Sequence, residues 1–594
     1  MPPAPYLPVD PILLSGPSIT HREIECVADA AGTGWNMNCA SYIRIFQQQM
    51  IGYSGHKYAF PTSSCTGAMH LALLALGVGP GDEVLVPEIA DMSVAACVVY
   101  TGATPVFCDV DPHTLCLSPA SAAANITPRT KAMVPVHMYG QPCDMQALLT
   151  LAQQHKLFVI ENATHGLGSQ YRGRRVGSFG HFSVFSFNGT KAVVAGEGGI
   201  LLSSDKELFR RAMKLGSQGR NENNPFLYDA IGYNYTMSNL QAAMVSAQLE
   251  RLGDLMAKKR QIFGWYHERL RGVPGIRLNA QRPDSKNSFW MTTLFFDDAS
   301  MVRHDFMKRL GMSGVTCRPV FYPLSSMPMF TKADNPVAYS VALRGIVLPC
   351  GHNRTEEEVE YICGVIKYLL ANKTAPVANV QPTGWLHYKA EVLALFHKGK
   401  TAGLSLPFEH DGKACALRAV TKSDIEKPEV LALFKTLRAD NPQAFLSDFP
   451  ITNESMTEAL TQYAHKTRDF ILFLVMYGDA IMGHVGVNDF AFQKHECVID
   501  GLVMRPDAVK GLGAAACETL FAWVKDTLKI TRIYNHVVGS NHKVRLLAAA
   551  QGFKEVNKTS LYKTEIGGNR VYRPMYIMGH DKPEEYFVFS AKEL

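Results

Sequence analysis

No two cysteines of this 594-residue chain form a C-x-x-C pair; all 13 stand singly. That spacing argues against a thiolate zinc site or a disulfide framework. It fits small core residues in a reducing compartment, so a cytoplasmic location is expected. No apolar run is long enough to span a bilayer, and the opening MPPAPYLPVD lacks the apolar segment of a signal peptide. Lysine and arginine form no run or arm, and the formal net charge is a mild +6. Neither a nucleic-acid nor a membrane partner is expected. Internal repeats and low-complexity tracts are missing as well. What is there is ordinary globular composition, 47% hydrophobic and 19% charged, in a chain too long for one core. Two or more domains follow.

From about residue 56 to 205, short apolar runs alternate with amphipathic ones. DEVLVPE (82–88), ATPVFCDV (103–110), AMVPVHMYG (132–140) and LFVIEN (157–162) read as buried strands, and Met145 to His155 carries helical spacing. This alternation predicts an α/β fold, a mostly parallel sheet flanked by helices, with ligands outside the carboxyl ends of the strands. A long helical pattern covers Ser238 to Leu270, and a smaller α+β region runs to Asn372. The large domain is expected over 1–250 and the small one over 251–372. NKTAPVANVQPTGW (372–385) is polar and aperiodic, and a linker is expected over 373–413, with Tyr388 to Lys398 spaced like a short helix. A second α+β unit, 414–594, has strands near 470–477, 480–488, 496–504 and 530–538.

The segment HFSVFSFNGTKAVVAGEGG (181–199) joins an alternating apolar strand to a tight turn, a single lysine, Lys191, and a Gly-rich run. Apolar surroundings disfavour a lysine's charged form and leave its amine nucleophilic near neutral pH. Taken alone, the residue also fits a packed stem with its head in water. Around it, in order, stand SCTGAMHLALLALGVGPGDEVLVP (64–87), GATPVFCDVDPHTL (102–115), ITPRTKAMVPVHMYGQPCDM (126–145), VIENATHG (159–166), GEGG (196–199) and GYNYTMSNLQAA (232–243). Together, over about residues 8–370, these segments resemble the DegT-type sugar-nucleotide aminotransferases, fold-type-I enzymes of pyridoxal 5'-phosphate (PLP).

The resemblance implies that Lys191 forms the Schiff base with PLP and moves a proton at the substrate carbon. Ser186 and the Ser64–Cys65–Thr66 turn would hold the phosphate, Thr66 and Gly67 offering N–H groups at a helix start, a favourable place for a dianion. His165 matches the position that contacts the ring oxygen. Asn234 would reach the partner's phosphate, which implies a homodimer. The sequence departs from the family at three places. Asn162 follows Glu161 where an acid normally keeps the pyridine nitrogen protonated; an amide can hydrogen-bond that nitrogen without balancing its charge, so a weaker electron sink is expected. Asp91 stands where an aromatic residue usually stacks on the cofactor. RPVFYPLSSMP (318–328) has serines where a histidine often stands. A dehydrating branch of the family replaces the lysine with histidine, so Lys191 points to amino transfer.

In the second unit, CVIDGLVMRPDAVKGLGAAACETLFAWVKDTL (497–528) reads as strand, loop and amphipathic helix. Its glycines permit close approach of a ligand, and the following helix start favours a pyrophosphate; an ordinary strand-to-helix turn has the same spacing. With ILFLVMYGDAIMGHVGV (471–487) before it and ITRIYNHVVGSNHKVRLLAAAQGFKEV (530–556) after it, the unit resembles the GNAT-type N-acetyltransferases. The resemblance implies that the backbone of Val509, Lys510, Gly511, Leu512, Gly513 and Ala514 cradles the pyrophosphate of acetyl-CoA. Asn541 would orient the pantetheine arm, or simply cap a helix. Ala508 and Ala548 depart from the family, the latter where many members place a tyrosine acid. Glu496, Asp500, His484 and Tyr562 are the candidate acid/base groups.

An aminotransferase of this kind makes an amine that an N-acetyltransferase consumes, and fusion raises its local concentration. The combined expectation is transamination of a keto-sugar nucleotide, with glutamate as donor, followed by N-acetylation with acetyl-CoA. Such sugars feed surface polysaccharides or glycosylated natural products. A non-sugar cyclic ketone as acceptor, and a first half reduced to a dimeric scaffold, are the alternatives.

Overall fold

The strands Glu83–Pro87, Phe158–Asn162, Phe182–Ser186 and Gly199–Ser203 are buried nearly throughout, the condition for a sheet covered on both faces. A computed structural model describes residues 12–224, 226–298 and 303–372, and beyond them 395–396, 398–425, 427–440, 471–491, 496–505, 507–538, 554–566, 569–574 and 585–593. The chain divides into two compact units, one within Asp10–Val380 and one within Gln381–Leu594.

In the first unit a seven-stranded sheet has the order Tyr58–Thr62, Gly199–Ser203, Phe182–Ser186, Phe158–Asn162, Thr130–Met133, Glu83–Pro87, Thr104–Cys108. Pairings are parallel from Thr104–Cys108 through Phe182–Ser186. Gly199–Ser203 opposes both its neighbours. The mostly parallel α/β sheet is as expected, and the helix Met145–His155 forms over the residues whose spacing predicts it.

One expected strand is shorter. The run 132–140 gives only Thr130–Met133, because Pro135 has no N–H for the ladder. Its carbonyl still accepts from the Asn162 N–H at 2.9 Å. The chain then turns through Met138–Gly140, with Tyr139 at φ +52°. The helical pattern 238–270 is likewise two helices. Ser238 and Gln241 form a capping box at the start of Asn239–Glu250, and Arg251 (φ −115°) separates it from Leu252–Leu270. The Arg251 guanidinium donates to Ser18 Oγ and Glu23 Oε1, which ties the break to the amino-terminal segment. The small part of this unit is a four-stranded antiparallel sheet, Ile276–Leu278, Thr293–Phe296, Gly345–Val347 and Arg318–Pro319.

The second unit has a nine-stranded sheet. Ile471–Tyr477, Ala480–Ala491, Glu496–Met504 and Arg532–Val538 occupy the expected strand positions. Ser405–His410, inside the stretch expected to be linker, is also a strand and pairs with Lys413–Ala419. Alternation of exposed and half-buried residues along it resembles a loop in composition, which hides it in the sequence. The helix Leu512–Asp526 buries Leu512, Ala516, Leu520 and Val524 against Leu417, Phe473 and Val475 of the sheet.

Candidate active site

The parallel strands of the first unit deliver Asn162 and Ser186 at their carboxyl ends, and Asp91 follows the strand Glu83–Pro87. These residues, with Ser64, Cys65, Thr66, His165 and Lys191, line one cavity of about 230 Å³. Gly67 sits one step along the helix, where a β-carbon would meet the Tyr235 ring at 3.1 Å. Asn234 is exposed and accepts from the Thr236 hydroxyl; within one chain it does not reach the lining. Thr164, Asn188, Glu197, Trp290, Arg318 and Phe321 also line the cavity.

Ser64 caps the helix Cys65–Ala75, its hydroxyl accepting from the Gly67 N–H at 3.1 Å. A helix start concentrates N–H groups and positive potential and so suits a phosphate. Gly199 explains part of the GEGG run: any β-carbon there would fall 2.4 Å from Cys65 N, so a side chain would displace the cap. Lys191 lies in the loop between Phe182–Ser186 and Gly199–Ser203, its Nζ 4.6 Å from the Trp290 ring centroid. Burial lowers its pKa, Asp91 and Cys65 oppose the shift, and the Arg318 charge reinforces it. The amine is thereby moved toward its nucleophilic form.

Trp290 is fixed by its indole N–H, which donates to the Thr190 carbonyl, and it stacks on His165 with ring centroids 3.9 Å apart. Aromatic surface therefore reaches the cavity from the segment just before the small-sheet strand Thr293–Phe296, while Asp91 caps the helix Met92–Tyr100 by accepting from the Ser93 N–H and hydroxyl. Ser325 binds away from the cavity, donating its N–H to Glu88 and exchanging a hydroxyl hydrogen bond with Tyr339.

Below the cavity floor, Glu161 is fully buried. Burial alone would raise its pKa, but hydrogen bonds from His137 Nε2 (2.8 Å) and the N–H groups of Gly177 and Phe179 lower it. His137 Nδ1 accepts from the Cys143 N–H, so its single ring hydrogen is on Nε2 and aimed at Glu161. This pair anchors the strand that ends in Asn162. The Thr164 N–H donates to Asn162 Oδ1 at 3.2 Å, which sets the amide orientation: the NH2 group is the free arm, with only Met69 Sδ at 3.7 Å among the described residues. Burial holds His165 well below the usual imidazole pKa, and its Nδ1 is buried without a hydrogen-bond partner.

These groups fit PLP. The capped helix start and Ser186 suit its phosphate, Lys191 suits its aldehyde, and the unpartnered Nδ1 of His165 and the spare N–H of Asn162 are polar atoms a ligand would satisfy.

In the second unit, Gly511 at φ +85° turns the chain into the helix Leu512–Asp526, which has no side-chain cap. His410 Nε2 donates to the Lys510 carbonyl at 3.0 Å. A β-carbon on Gly511 would meet His410 at 3.2 Å, and one on Gly513 would meet Met504 at 3.2 Å. Backbone alone faces a ligand at such a turn. His484 is buried and stacked on Phe434 at 4.7 Å, a packing role. Asn541 and Ala548 lie outside the described residues, as do the side chains of Glu496, Asp500 and Tyr562.

Residues 17–367 match the model of the DegT/DnrJ/EryC1/StrS aminotransferase family. The chain belongs to this aminotransferase family. Residues 432–553 match the acetyltransferase (GNAT) family. GDP-perosamine synthase of Escherichia coli O157:H7 is 37% identical over 359 residues, which span 60% of this chain and 98% of that protein. The aminotransferase TlmJ from Streptoalloteichus hindustanus superposes with a TM-score of 0.58 at 30% identity, covering 61% of this chain and all of the other. DesI, solved in the presence of its TDP-sugar product, gives a TM-score of 0.58 at 29% identity over 62% of this chain and 95% of its own.

Proposed function

We propose that the chain carries two successive steps: PLP-dependent transamination of a keto-sugar nucleotide with glutamate as donor, then N-acetylation of the amino sugar by acetyl-CoA. The observation that carries the first step is Lys191, set with lowered basicity in the cavity that collects the phosphate-side and ring-side residues. PLP, when bound, supplies the electron sink. The remaining work belongs to the protein. Ser64, Thr66 and Ser186 bind the phosphate, Asn162 offers a donor to the ring nitrogen, and His165 meets the ring oxygen. The Trp290 indole keeps water from the reacting end, and Lys191 Nζ takes and returns the proton at the substrate carbon. The names of the relatives, a GDP-perosamine synthase and an enzyme solved with its TDP-sugar product, support a sugar nucleotide as acceptor.

The turn Val509–Ala514 is proposed to hold the pyrophosphate of acetyl-CoA, on the strength of Gly511, the uncapped helix start and the GNAT match. A homodimer is proposed as well: Asn234 is exposed for a partner's site, and the same loop sets Phe226 and Ile231 in solvent at 87% and 95% exposure, apolar surface that a second subunit would cover.

The test is the visible spectrum of the protein with PLP, before and after glutamate, beside Lys191→Ala. A band that needs Lys191 and shifts with glutamate is expected. A band blind to every amino donor, or none, would leave the first half as a scaffold, the reading that Asn162 and Asp91 favour.

A further inference from the structure

In the second unit the strand Ser405–His410 turns back into Lys413–Ala419 through Asp411 (φ +50°) and Gly412 (φ +70°), and His410 pairs with Lys413 at the end of the ladder. Two left-handed residues in a two-residue loop match the twist of the strands they join, so the hairpin gives His410 a fixed place. That place is the start of the helix Leu512–Asp526. The His410 side chain is 17% exposed, and its Nε2 lies 3.0 Å from the Lys510 carbonyl oxygen. A carbonyl only accepts, so the hydrogen is on Nε2. Asp411 Oδ2, at 3.7 Å from the same nitrogen, is beyond hydrogen-bond reach and does not compete for it.

The peptide joining Lys510 to Gly511 is planar and trans, so its N–H points opposite to its carbonyl. With the carbonyl held toward His410, the Gly511 N–H faces away from it. Neither this N–H nor that of Gly513 meets an acceptor among the described residues, whereas the Leu512 N–H is committed to the Val509 carbonyl at 3.1 Å. The turn therefore has few donors to offer, and the orientation of one peptide decides whether an anion meets an N–H or an oxygen. Glycine crosses between backbone regions at little cost, so Gly511 does not itself fix that orientation. An anchor from outside the turn does.

We infer that His410 is a positioning residue of the acetyl-CoA site: it holds the Lys510 carbonyl back so that the Gly511 N–H is presented to the pyrophosphate. This rests on the acetyltransferase reading of the turn. The residues that match the GNAT family begin at 432, so the strand that carries His410 lies before the matched span, and the anchor is a feature of this chain. Its role is in holding the nucleotide end of the co-substrate, not in acyl transfer.

The test uses the full-length protein as wild type, His410→Phe, which keeps a ring without a donor, and His410→Gln, which keeps a donor without the ring. Calorimetry is run with CoA and with dephospho-CoA, which lacks the 3'-phosphate and keeps the pyrophosphate. In His410→Phe the dissociation constants of both are expected to rise about tenfold, the scale for one hydrogen bond lost at an anion site. His410→Gln should recover most of the loss. With the amino sugar as acceptor, KM for acetyl-CoA should rise in His410→Phe while kcat holds. The preference in kcat/KM for acetyl-CoA over S-acetylpantetheine, which has the thioester and no pyrophosphate, should fall by the same factor. A loss confined to CoA would put His410 at the 3'-phosphate and overturn the assignment. So would a loss shared by S-acetylpantetheine, a Gln variant as weak as Phe, or unchanged binding in both variants. A wild-type protein that binds neither CoA nor dephospho-CoA overturns the assignment and the acetyltransferase reading together.

Discussion

At the residue scale, Asn162 stands where the resemblance to the family leads one to expect an acid. Its Oδ1 is taken by the Thr164 N–H, so its NH2 is what a cofactor nitrogen would meet. Such a group donates to an unprotonated ring and cannot hold a protonated one. In Asn162→Asp a carboxylate oxygen would replace that NH2, buried beside Met69 and next to Glu161 with no donor of its own. Two outcomes are expected. Without PLP the variant unfolds at lower temperature than wild type, by about 1–3 kcal/mol, and PLP restores more stability to it than to wild type. With PLP, the glutamate half-reaction gains about tenfold or more, equivalent to about 1.4 kcal/mol off the barrier. Thermal shifts with and without PLP and single-turnover absorbance check both. Behaviour identical to wild type would mean that the ring nitrogen faces another group.

At the same scale, legibility divides by distance along the chain. Ser64, Thr66, Asn162, Ser186 and Lys191 stand in local motifs whose turns and caps are written in a few adjacent residues. Trp290, Arg318 and Phe321 reach the cavity from the small-sheet strand Arg318–Pro319 and the segments beside the sheet, more than a hundred residues after Asn162 in each case, and no local pattern marks them. Their roles arise from packing: the Trp290 indole is placed by the Thr190 carbonyl of the lysine loop. The run RPVFYP held a signal, an arginine between apolar residues with no acid nearby, that only a map of burial makes legible.

At the scale of elements, hydrophobic periodicity located most strands and helices, and it failed where one residue outweighs the pattern. Pro135 ends a strand that apolar composition extends to Gly140, and Arg251 splits a helix whose spacing continues, because its side chain is committed to Ser18 and Glu23. The junction between the amino-terminal segment, the helix Leu252–Leu270 and the loop Cys350–Arg354 also sets a pH limit. His352 is buried there; desolvation first, and the charges of Lys259 and Arg251 next, push its pKa down to about 3. Above about pH 6.5 the imidazole is neutral folded or unfolded and contributes nothing. Below it the unfolded chain takes up a proton that the folded chain refuses, so stability falls as pH drops from about 6.5 toward 3. Between pH 6.5 and 5 the loss is about 2 kcal/mol. Urea unfolding at the two pH values should show His352→Asn losing less than wild type by that amount, and an equal loss in both would place the proton elsewhere.

At the scale of the whole molecule, an aminotransferase-family unit and a GNAT-family match share one chain, and the gain from joining them depends on what happens to the intermediate. If it leaves freely, the chain behaves as two enzymes in one tube. If the second site captures it first, N-acetylation follows amination at a local concentration that bulk dilution does not alter. The two cases differ in one observable. Intact enzyme is compared with an equimolar mixture of two variants: Lys191→Ala, without the lysine proposed to act in amino transfer, and Gly511→Asp, whose side chain would sit at φ +85° against His410 and place a negative charge at the helix start. Product appearance is followed from keto-sugar nucleotide, glutamate and acetyl-CoA over a range of enzyme concentrations. The mixture must show a lag that lengthens on dilution, since its intermediate crosses solution. For the intact chain the expected lag is short and independent of dilution. A lag that lengthens as it does in the mixture would mean that fusion co-ordinates supply of the two activities without passing the amine between them.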